Sequence, residues 1–416
     1  MSQFIKIYSL LIGSALLMFG GGLQGLTLSV RGAEEHFSLL ALGLIGTGWS
    51  VGYVAGSITV PMIVKRVGHI RAYSVMAAIG TITILLNLMM INDVSWIVLR
   101  SLSGYCFAGA AMIVESWLNE VTDNKSRGTI FSLYSAINMA SSTVGGLSMS
   151  ITGVIGFTPF VVGAISFICA LLPTALTSKP QPRPLKSAKV DLLLLYRTSP
   201  VAAIAAFSIG MCNGTFGTLA PVYGYSQHLD AAGISVLMAI PVIAGASSQI
   251  PAGRLSDRMD RRKVIIGLSA VASLMGLLLV VFDPQGGWLL YTLFAIYGLC
   301  AYPLYGIAVA HANDSAKDGD FAKISSAMLL IMGVGLAIGP AIAPFLMNNI
   351  KPVAMFIVTV TFHGALAIST FLRMRIRPAA RMRRSRFWPI FSDKGQTPEV
   401  VALDPRSEGP EAQEAL

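Results

Sequence analysis

Two ionisable residues stand inside a long apolar stretch of the chain. Arg100, Gly104, Ala108, Ala111 and Glu115 recur every three or four residues, the spacing that lines side chains along one stripe of a helix. At helical rise the two charges lie about 22 Å apart, so they do not neutralise each other. An ionisable group within an apolar span costs about 3 kcal/mol or more, so it is either partnered or functional. Two readings stand for each. Arg100 lies near one end of its span and either snorkels outward or serves coupling or substrate binding. Glu115 is either a protonatable carboxylate that couples proton flow or an ordinary acid in a hydrated vestibule. A second stripe, Phe294, Gly298, Tyr302, Tyr305 and Val309, offers tyrosines, each with an apolar face and a hydrogen-bonding tip. Facing stripes of this kind would make an amphipathic cavity, suited to an organic solute with an apolar or planar part. The alternative is that Tyr302 and Tyr305 only pack.

Further polar groups fall in apolar stretches: Gln24, Trp49, Tyr53, Tyr134, Asn138, Asn213 and Gln249. Some are expected to line a cavity and others to hydrogen-bond between helices, a contact worth about 0.6–2 kcal/mol. The cavity-lining candidates are Gln24, Tyr53, Tyr134, Asn138, Asn213, Tyr302 and Tyr305. His311 and His363 are isolated in sequence, and His363 is the better placed of the two for a proton-linked role. Cys106, Cys169, Cys212 and Cys300 form no closely spaced pair and read as small apolar residues, not metal ligands or disulfides. No phosphate-cradling G-x-x-x-x-G-K-[ST], no H-E-x-x-H and no G-x-S-x-G is present. No ATP-driven step, catalytic residue, metal or cofactor is therefore expected, and an enzyme is disfavoured.

The elements that carry these residues follow from composition. Of 416 residues, 54% are hydrophobic and only 12% charged, against about 25% charged in soluble domains. The apolar residues run in blocks of about 20, enough to cross a hydrocarbon core. Twelve blocks are expected: 6–30, 40–64, 72–91, 94–118, 129–154, 157–177, 201–225, 232–252, 264–282, 288–311, 321–346 and 353–372. They do not alternate as barrel strands would. The first is too long for the h-region of a leader and reads as a span.

The net charge of +10 is unevenly placed. Alternate loops hold Lys65, Arg66 and Arg71, then Lys125 and Arg127, then Lys179, Arg183, Lys186, Lys189 and Arg197. The next hold Arg254, Arg258, Arg261, Arg262 and Lys263, then Lys317 and Lys323. The other loops hold only Arg31 and Lys351. By the positive-inside rule the rich loops and both termini face the cytoplasm. The arginines from Arg373 onward are expected on anionic headgroups, and nucleic acid is not an expected partner.

The chain repeats itself at an offset of 192–194 residues. MFGGGLQG (18–25) sits over MCNGTFGT (211–218), PMIVKRVGHIR (61–71) over GRLSDRMDRRK (253–263), and GYCFAG (104–109) over GLCAYP (298–303). Asn119-Glu120 then falls over Asn313-Asp314. The expected organisation is a six-helix bundle over 1–177, a cytoplasmic linker over 178–200, a second six-helix bundle over 201–372 and a basic-then-acidic tail over 373–416. Parallel repeats of this kind are one layout of transporters.

The stretch from Gly253 through Asp257, Arg258, Arg261, Arg262 and Lys263 resembles the G-x-L-x-D-R-x-G-R-R-K loop of the major facilitator superfamily, with Asp260 in place of the second glycine. The first-half copy is degenerate: Pro61 and Lys65 replace the first glycine and the aspartate, while Gly68 and Arg71 remain. Arg100 with Gly104 resembles the superfamily's R-x-x-x-G motif. Gly335, Gly339 and Pro340 resemble the G-x-x-x-G-P motif of exporters, displaced from the fifth span to the eleventh. VESWLNE (114–120) and AYPLYGIAVA (301–310) resemble most the poorly characterised bacterial YcaD-like branch. The resemblance implies an all-α inner-membrane carrier that works by alternating access. It makes Gly253, Asp257, Arg258, Arg261 and Arg262 a cytoplasmic gate that forms in one conformation and breaks in another. The expected partners are a small-molecule solute, a proton and membrane lipid, and the expected state is a monomer. Export is weakly favoured over proton-linked uptake. A transport-derived sensor or assembly partner is the reading from another class.

Overall fold

The computed structural model describes residues 2–121, 127–172, 190–316 and 320–376. All regular elements among them are helical. Those in the first part of the chain are α1 (Ser2–Glu34), α2 (Leu39–Val67), α3 (His69–Met89), α4 (Asp93–Val121), α5 (Arg127–Leu147), the single turn α6 (Met149–Thr152) and α7 (Thr158–Cys169). Then come α8 (Leu192–Thr198), α9 (Pro200–Ser226), α10 (Ala231–Arg258), α11 (Arg261–Phe282), α12 (Gly287–Ala301), α13 (Pro303–Asp314), α14 (Phe321–Asn349) and α15 (Met355–Ile376), the last preceded by a 3₁₀ turn at Pro352–Ala354. Lys125, Lys179, Arg183, Lys186, Lys189, Lys317 and the tail from 377 lie outside the described residues.

Among the described residues, ten spans, taking α12 and α13 as one, are long and apolar enough to cross a membrane. The expected fifth and sixth blocks differ from that pattern. The fifth stops as a regular helix at Leu147, continues as the turn α6, and ends at Gly153, whose φ of 72° suits glycine. Its α5 portion carries Tyr134, Asn138 and several serines and threonines, and is not among the ten. The sixth is a 12-residue helix, α7, over its described part. The tenth is interrupted at Tyr302, because Pro303 starts a new helix at its first position.

The chain divides into two compact units, one holding α1–α7 and the other α8–α15. Each has the same internal pairing. In the first, α2 packs on α4, α1 on α5 and α7, and α3 on α4 and α7. In the second, α10 packs on α12, α9 on α14 and α15, and α11 on α12 and α15. Large side chains fill each interior: Trp96, Tyr73, Phe131 and Phe167 in one, Tyr223, Tyr297, Phe294 and Phe356 in the other. Ile58, Ile82, Ile243, Val281 and Phe345 stand exposed, which suits a lipid-facing flank.

Three close helix contacts also repeat. A Cβ on Gly104 would lie 2.2 Å from the Trp49 carbonyl oxygen, and one on Gly298 would lie 2.1 Å from that of Pro241. A Cβ on Gly145 would likewise collide with the Phe19 carbonyl oxygen, and one on Gly339 with that of Met211. Gly22 meets Ser142 as Gly214 meets Leu336. All six positions obey the repeat seen in the sequence. Lipid tails are as apolar as leucine, so helices in a membrane associate through close packing, which small residues permit. The Gly335–Gly339 spacing is therefore one side of the α9–α14 seam.

Gly104→Ala is expected to lower the melting temperature of the detergent-solubilised protein, since overpacking costs about 1–3 kcal/mol. Gly217→Ala, whose Cβ would meet nothing within 4 Å, should leave it unchanged or slightly raised. Equal melting temperatures for the two variants would refute the seam.

Candidate functional site

The α4 stripe carries its two charges into different surroundings. Arg100 is buried and donates from Nη1 to Gln24 Oε1 on α1 at 2.8 Å. The Ser103 hydroxyl donates to the same oxygen at 3.1 Å. The guanidinium lies 5.7 Å from the ring centroid of Trp49 on α2, within cation–π range. Gly104 sets this geometry, because it brings the α4 backbone against the carbonyl of Trp49 itself.

Glu115 is 3% exposed. The Tyr134 hydroxyl on α5 donates to its Oε1 at 2.8 Å. Tyr53, one turn beyond Trp49 on α2 and stacked on it at 5.1 Å, lies within electrostatic reach of the same carboxylate. Asn138 stands within hydrogen-bonding reach of Tyr134, and its Oδ1 accepts from Ser14 on α1 at 2.6 Å. Three of the expected cavity residues, Tyr53, Tyr134 and Asn138, thus gather around Glu115, and a fourth, Gln24, meets Arg100.

In the second unit the loop between α10 and α11 is an ion-pair cluster. Arg261 is buried, and its Nη1 meets Asp257 Oδ1 at 2.8 Å while its Nε meets Asp314 Oδ2, at the end of α13, also at 2.8 Å. Nη1 also donates to Ser256 Oγ at 2.9 Å, whose own hydroxyl donates to the Gly253 carbonyl. One guanidinium ties three helix ends together. Arg258, expected in the same cluster, is instead exposed at the end of α10, where a basic side chain complements the helix dipole.

Asp260, the departure from the loop pattern, has a local reason. Its carboxylate caps α11 by accepting from the Arg262 backbone N–H at 3.0 Å, and it holds the Arg262 side chain, with Nη2 to Oδ2 at 2.8 Å. Gly68 occupies the equivalent place before α3, with φ of 87° and no side-chain cap. Where Arg261 stands in one unit, His69 stands in the other, buried, its Nε2 3.4 Å from Ser116 Oγ.

Asn213 is half-buried on α9. Tyr302 packs against Gly245, and Tyr305 is buried. Sequence reasoning missed Tyr297, whose hydroxyl lies 3.3 Å from His363 Nε2 in the centre of the second unit and whose ring stacks on Phe216 at 5.0 Å. Tyr297 adjoins Gly298 in the repeat, and that neighbourhood was the available signal.

The sequence matches the Major Facilitator Superfamily over residues 10–247 and 202–394. The chain belongs to that superfamily. It is an integral multi-pass membrane transporter, consistent with a bacterial inner membrane, and not an enzyme. Like other members of the superfamily it is a secondary transporter. YcaD of Shigella flexneri serotype 5b (strain 8401), an uncharacterized MFS-type transporter, is 25% identical over 328 residues, covering 78% of this chain and 84% of that one. YcaD of Escherichia coli O139:H28 shows the same identity and coverage. The superfamily fold extends to solved structures. The nucleoside transporter NupG matches with a TM-score of 0.73 at 15% identity, over 89% of this chain and 98% of that one. A bacterial homolog of the human lysosomal transporter Spinster, inward-facing and unoccupied, matches with a TM-score of 0.66 at 14% identity, over 96% and 97%. At these identities the likeness is one of fold alone.

Asp260 lies outside the spans and titrates in reach of water. Burial by itself raises its pKa, but hydrogen bonds from the side chain and backbone of Arg262, and that residue's charge, outweigh burial and hold it below the usual carboxylate value. Its stabilising contribution is therefore complete above the unfolded-state pKa of about 4 and is lost as pH falls through the lower folded value. Asp260→Asn should lower the melting temperature at neutral pH, with the gap to wild type closing as pH drops below about 4. A gap of constant size across an acid titration would exclude this role.

Proposed function

We propose that this transporter is a proton-coupled carrier of a small organic solute working by alternating access, with Glu115 as the coupling carboxylate. The observation that carries the reading is the buried Glu115 with the Tyr134 hydroxyl donating to it. Ionised, the carboxylate is stabilised by that hydrogen bond. Protonated, it no longer places a charge inside the span. Proton binding thus changes the energy of a buried element by an amount able to shift two states separated by a few kcal/mol. Tyr53, Tyr134, Asn138 and Gln24 are assigned to the transport pathway with Glu115 and Arg100, and Asn213, Tyr302 and Tyr305 are their counterparts in the second unit.

The proposed topology has twelve crossings. The pairing of α5 with α1, equivalent to that of α14 with α9, supports α5 as the fifth crossing, and the packing of α7 on α1 and α3, equivalent to that of α15 on α9 and α11, supports α7 as the sixth. The excess of Lys and Arg in alternate loops supports cytoplasmic termini. It also supports two six-helix bundles over 1–177 and 201–372, with the linker 178–200 and the tail 373–416 on that side. The Asp257–Arg261–Asp314 cluster then lies at the cytoplasmic end and acts as the gate, a joint whose charges keep partners within hydrogen-bond distance and whose exposure to water keeps it breakable. The Gly335–Gly339 pair no longer argues for export, because packing on α9 accounts for it. Efflux and proton-linked uptake are separated by the sign of the driven flux.

The test is a metabolite and drug screen in proteoliposomes with an imposed pH gradient. With a substrate in hand, Glu115→Gln should abolish gradient-driven flux and spare counterflow exchange, and uphill transport by that variant would remove Glu115 from coupling. Asp257→Asn should slow turnover at normal expression, whereas unchanged flux would remove the gate. No flux of any compound under any gradient would favour a sensor or assembly partner that moves nothing.

A further inference from the structure

Arg100 is a buried cation whose contacts are all neutral. Its one hydrogen bond goes to Gln24 Oε1, its one ring contact is Trp49, and among the described residues no carboxylate pairs with it. Glu115 is about 22 Å further along α4 at helical rise. A guanidinium keeps its proton in proteins and has five N–H donors, and an uncompensated buried charge costs several kcal/mol.

Gln24 narrows what is missing. Its carbonyl oxygen already accepts two hydrogen bonds, from Arg100 and Ser103, which fills both lone pairs. Arg100, which only donates, fixes the amide orientation, since the flipped amide would set donor against donor there. Gln24 Nε2 is buried, finds no acceptor, and belongs to a residue only 4% exposed. Beside Arg100, which has no carboxylate partner, a buried amide N–H therefore also lacks an acceptor among the described residues. The donors left open on Arg100 and Gln24 call for an acceptor, and one guanidinium balances one negative charge.

We propose that Arg100 and Gln24 bind the carboxylate of a singly charged organic anion, with Trp49 against its planar body. The inference rests on the carrier reading for its purpose, since the anion is the solute or part of it. The guanidinium supplies paired N–H groups to a planar carboxylate, the geometry at which arginine excels, and the Gln24 amide adds a third donor. Trp49, stacked on Tyr53 at 5.1 Å, is half-buried and leaves an aromatic surface beside the charge. Phosphate at neutral pH is a mixture of singly and doubly charged forms and, being tetrahedral, offers no planar body to Trp49. Chloride satisfies the charge but gains nothing from the aromatic surface.

Purified full-length protein is titrated with benzoate, indole-3-acetate, benzamide, inorganic phosphate and sodium chloride, reading tryptophan fluorescence and melting temperature. Benzoate and indole-3-acetate should saturate and raise the melting temperature, and benzamide and phosphate should not. Chloride should compete weakly. Arg100→Gln should weaken carboxylate binding about tenfold or more, a loss of about 1.4 kcal/mol, and Gln24→Met should weaken it while keeping the Arg100 charge. Arg66→Gln, at the exposed end of α2, controls for loss of a cation. If Arg100→Gln does not fold, Arg100→Lys replaces it, since lysine keeps the charge without the paired donors. The proposal is overturned if neither carboxylate saturates, if benzamide binds as tightly as benzoate, if chloride alone binds, or if the Arg100 and Gln24 variants bind as wild type. Binding is read without flux. Carboxylate binding in a protein that transports nothing would sink the carrier reading and keep the site, and proton-driven flux of neutral solutes without carboxylate binding would do the reverse.

Discussion

Backbone-to-backbone approach between helices governs the rest of this molecule. In a hydrocarbon solvent there is little gain in bringing apolar side chains together, so stable helix pairs come from close packing and hydrogen bonds. Here the approach occurs where glycine removes the side chain altogether: Gly104 on Trp49, Gly145 on Phe19 and Gly22 on Ser142, with Gly298, Gly339 and Gly214 making the same three contacts in the second unit. A Cβ at any of these places would force the helices apart. Helix separation in turn decides whether a side chain on α4 reaches one on α1, α2 or α5. The Arg100–Gln24 and Glu115–Tyr134 hydrogen bonds, at 2.8 Å each, tolerate little separation.

The two buried charges on α4 are handled in opposite ways. Glu115 is given donors and polar neighbours that stabilise its ionised form within the unit. Arg100 is given one acceptor shared with Ser103 and one aromatic face. A carboxylate with donors in place can exchange a proton without reorganising its neighbours. A guanidinium does not lose its proton, so a change of compensation there needs a ligand. The two side chains thus sit in different chemistry along one helix, a carboxylate with a hydroxyl donor at one end and a guanidinium with one shared acceptor at the other.

Much of this was legible in the sequence, and the reason is periodicity. The stripe from Arg100 to Glu115 follows helical spacing, the apolar blocks follow membrane thickness, and the repeat follows a nearly constant offset. Each is a local or self-referential signal. What was not legible is pairing across helices. Gln24 and Arg100 are 76 residues apart, and Tyr297 and His363 are 66 apart, and no spacing rule connects such positions. The exposed Arg258 shows the same limit in reverse: it belongs to the loop pattern as firmly as Arg261 does, yet only Arg261 turns inward to Asp257 and Asp314. The fifth expected block falls outside the ten apolar spans because Tyr134 and Asn138, which hydrogen-bond in the interior, lower the apolar character of α5.

The repeat separates what the fold requires from what each half does. Contacts kept at equivalent positions are the glycine seams, together with the caps that open α2 and α10, where Ser38 accepts from Ala41 at 3.1 Å and Asp230 from Gly233 at 2.7 Å. Positions that diverge carry the chemistry. Arg261 with Asp257 and Asp314 corresponds to His69 with Lys65 and Glu120, and the last two of these are exposed. The same joint is thus a charged, three-way tie in one unit and a neutral-sized contact between His69 and Ser116 in the other. Conversely, the α4 charges correspond to Phe294 and Val309 on α12 and α13, both apolar and buried. Two copies of one backbone device therefore specialise by exchanging charges at fixed places. The first unit holds Arg100 and Glu115 deep within α4, and the second holds Asp257, Arg261 and Asp314 at helix ends.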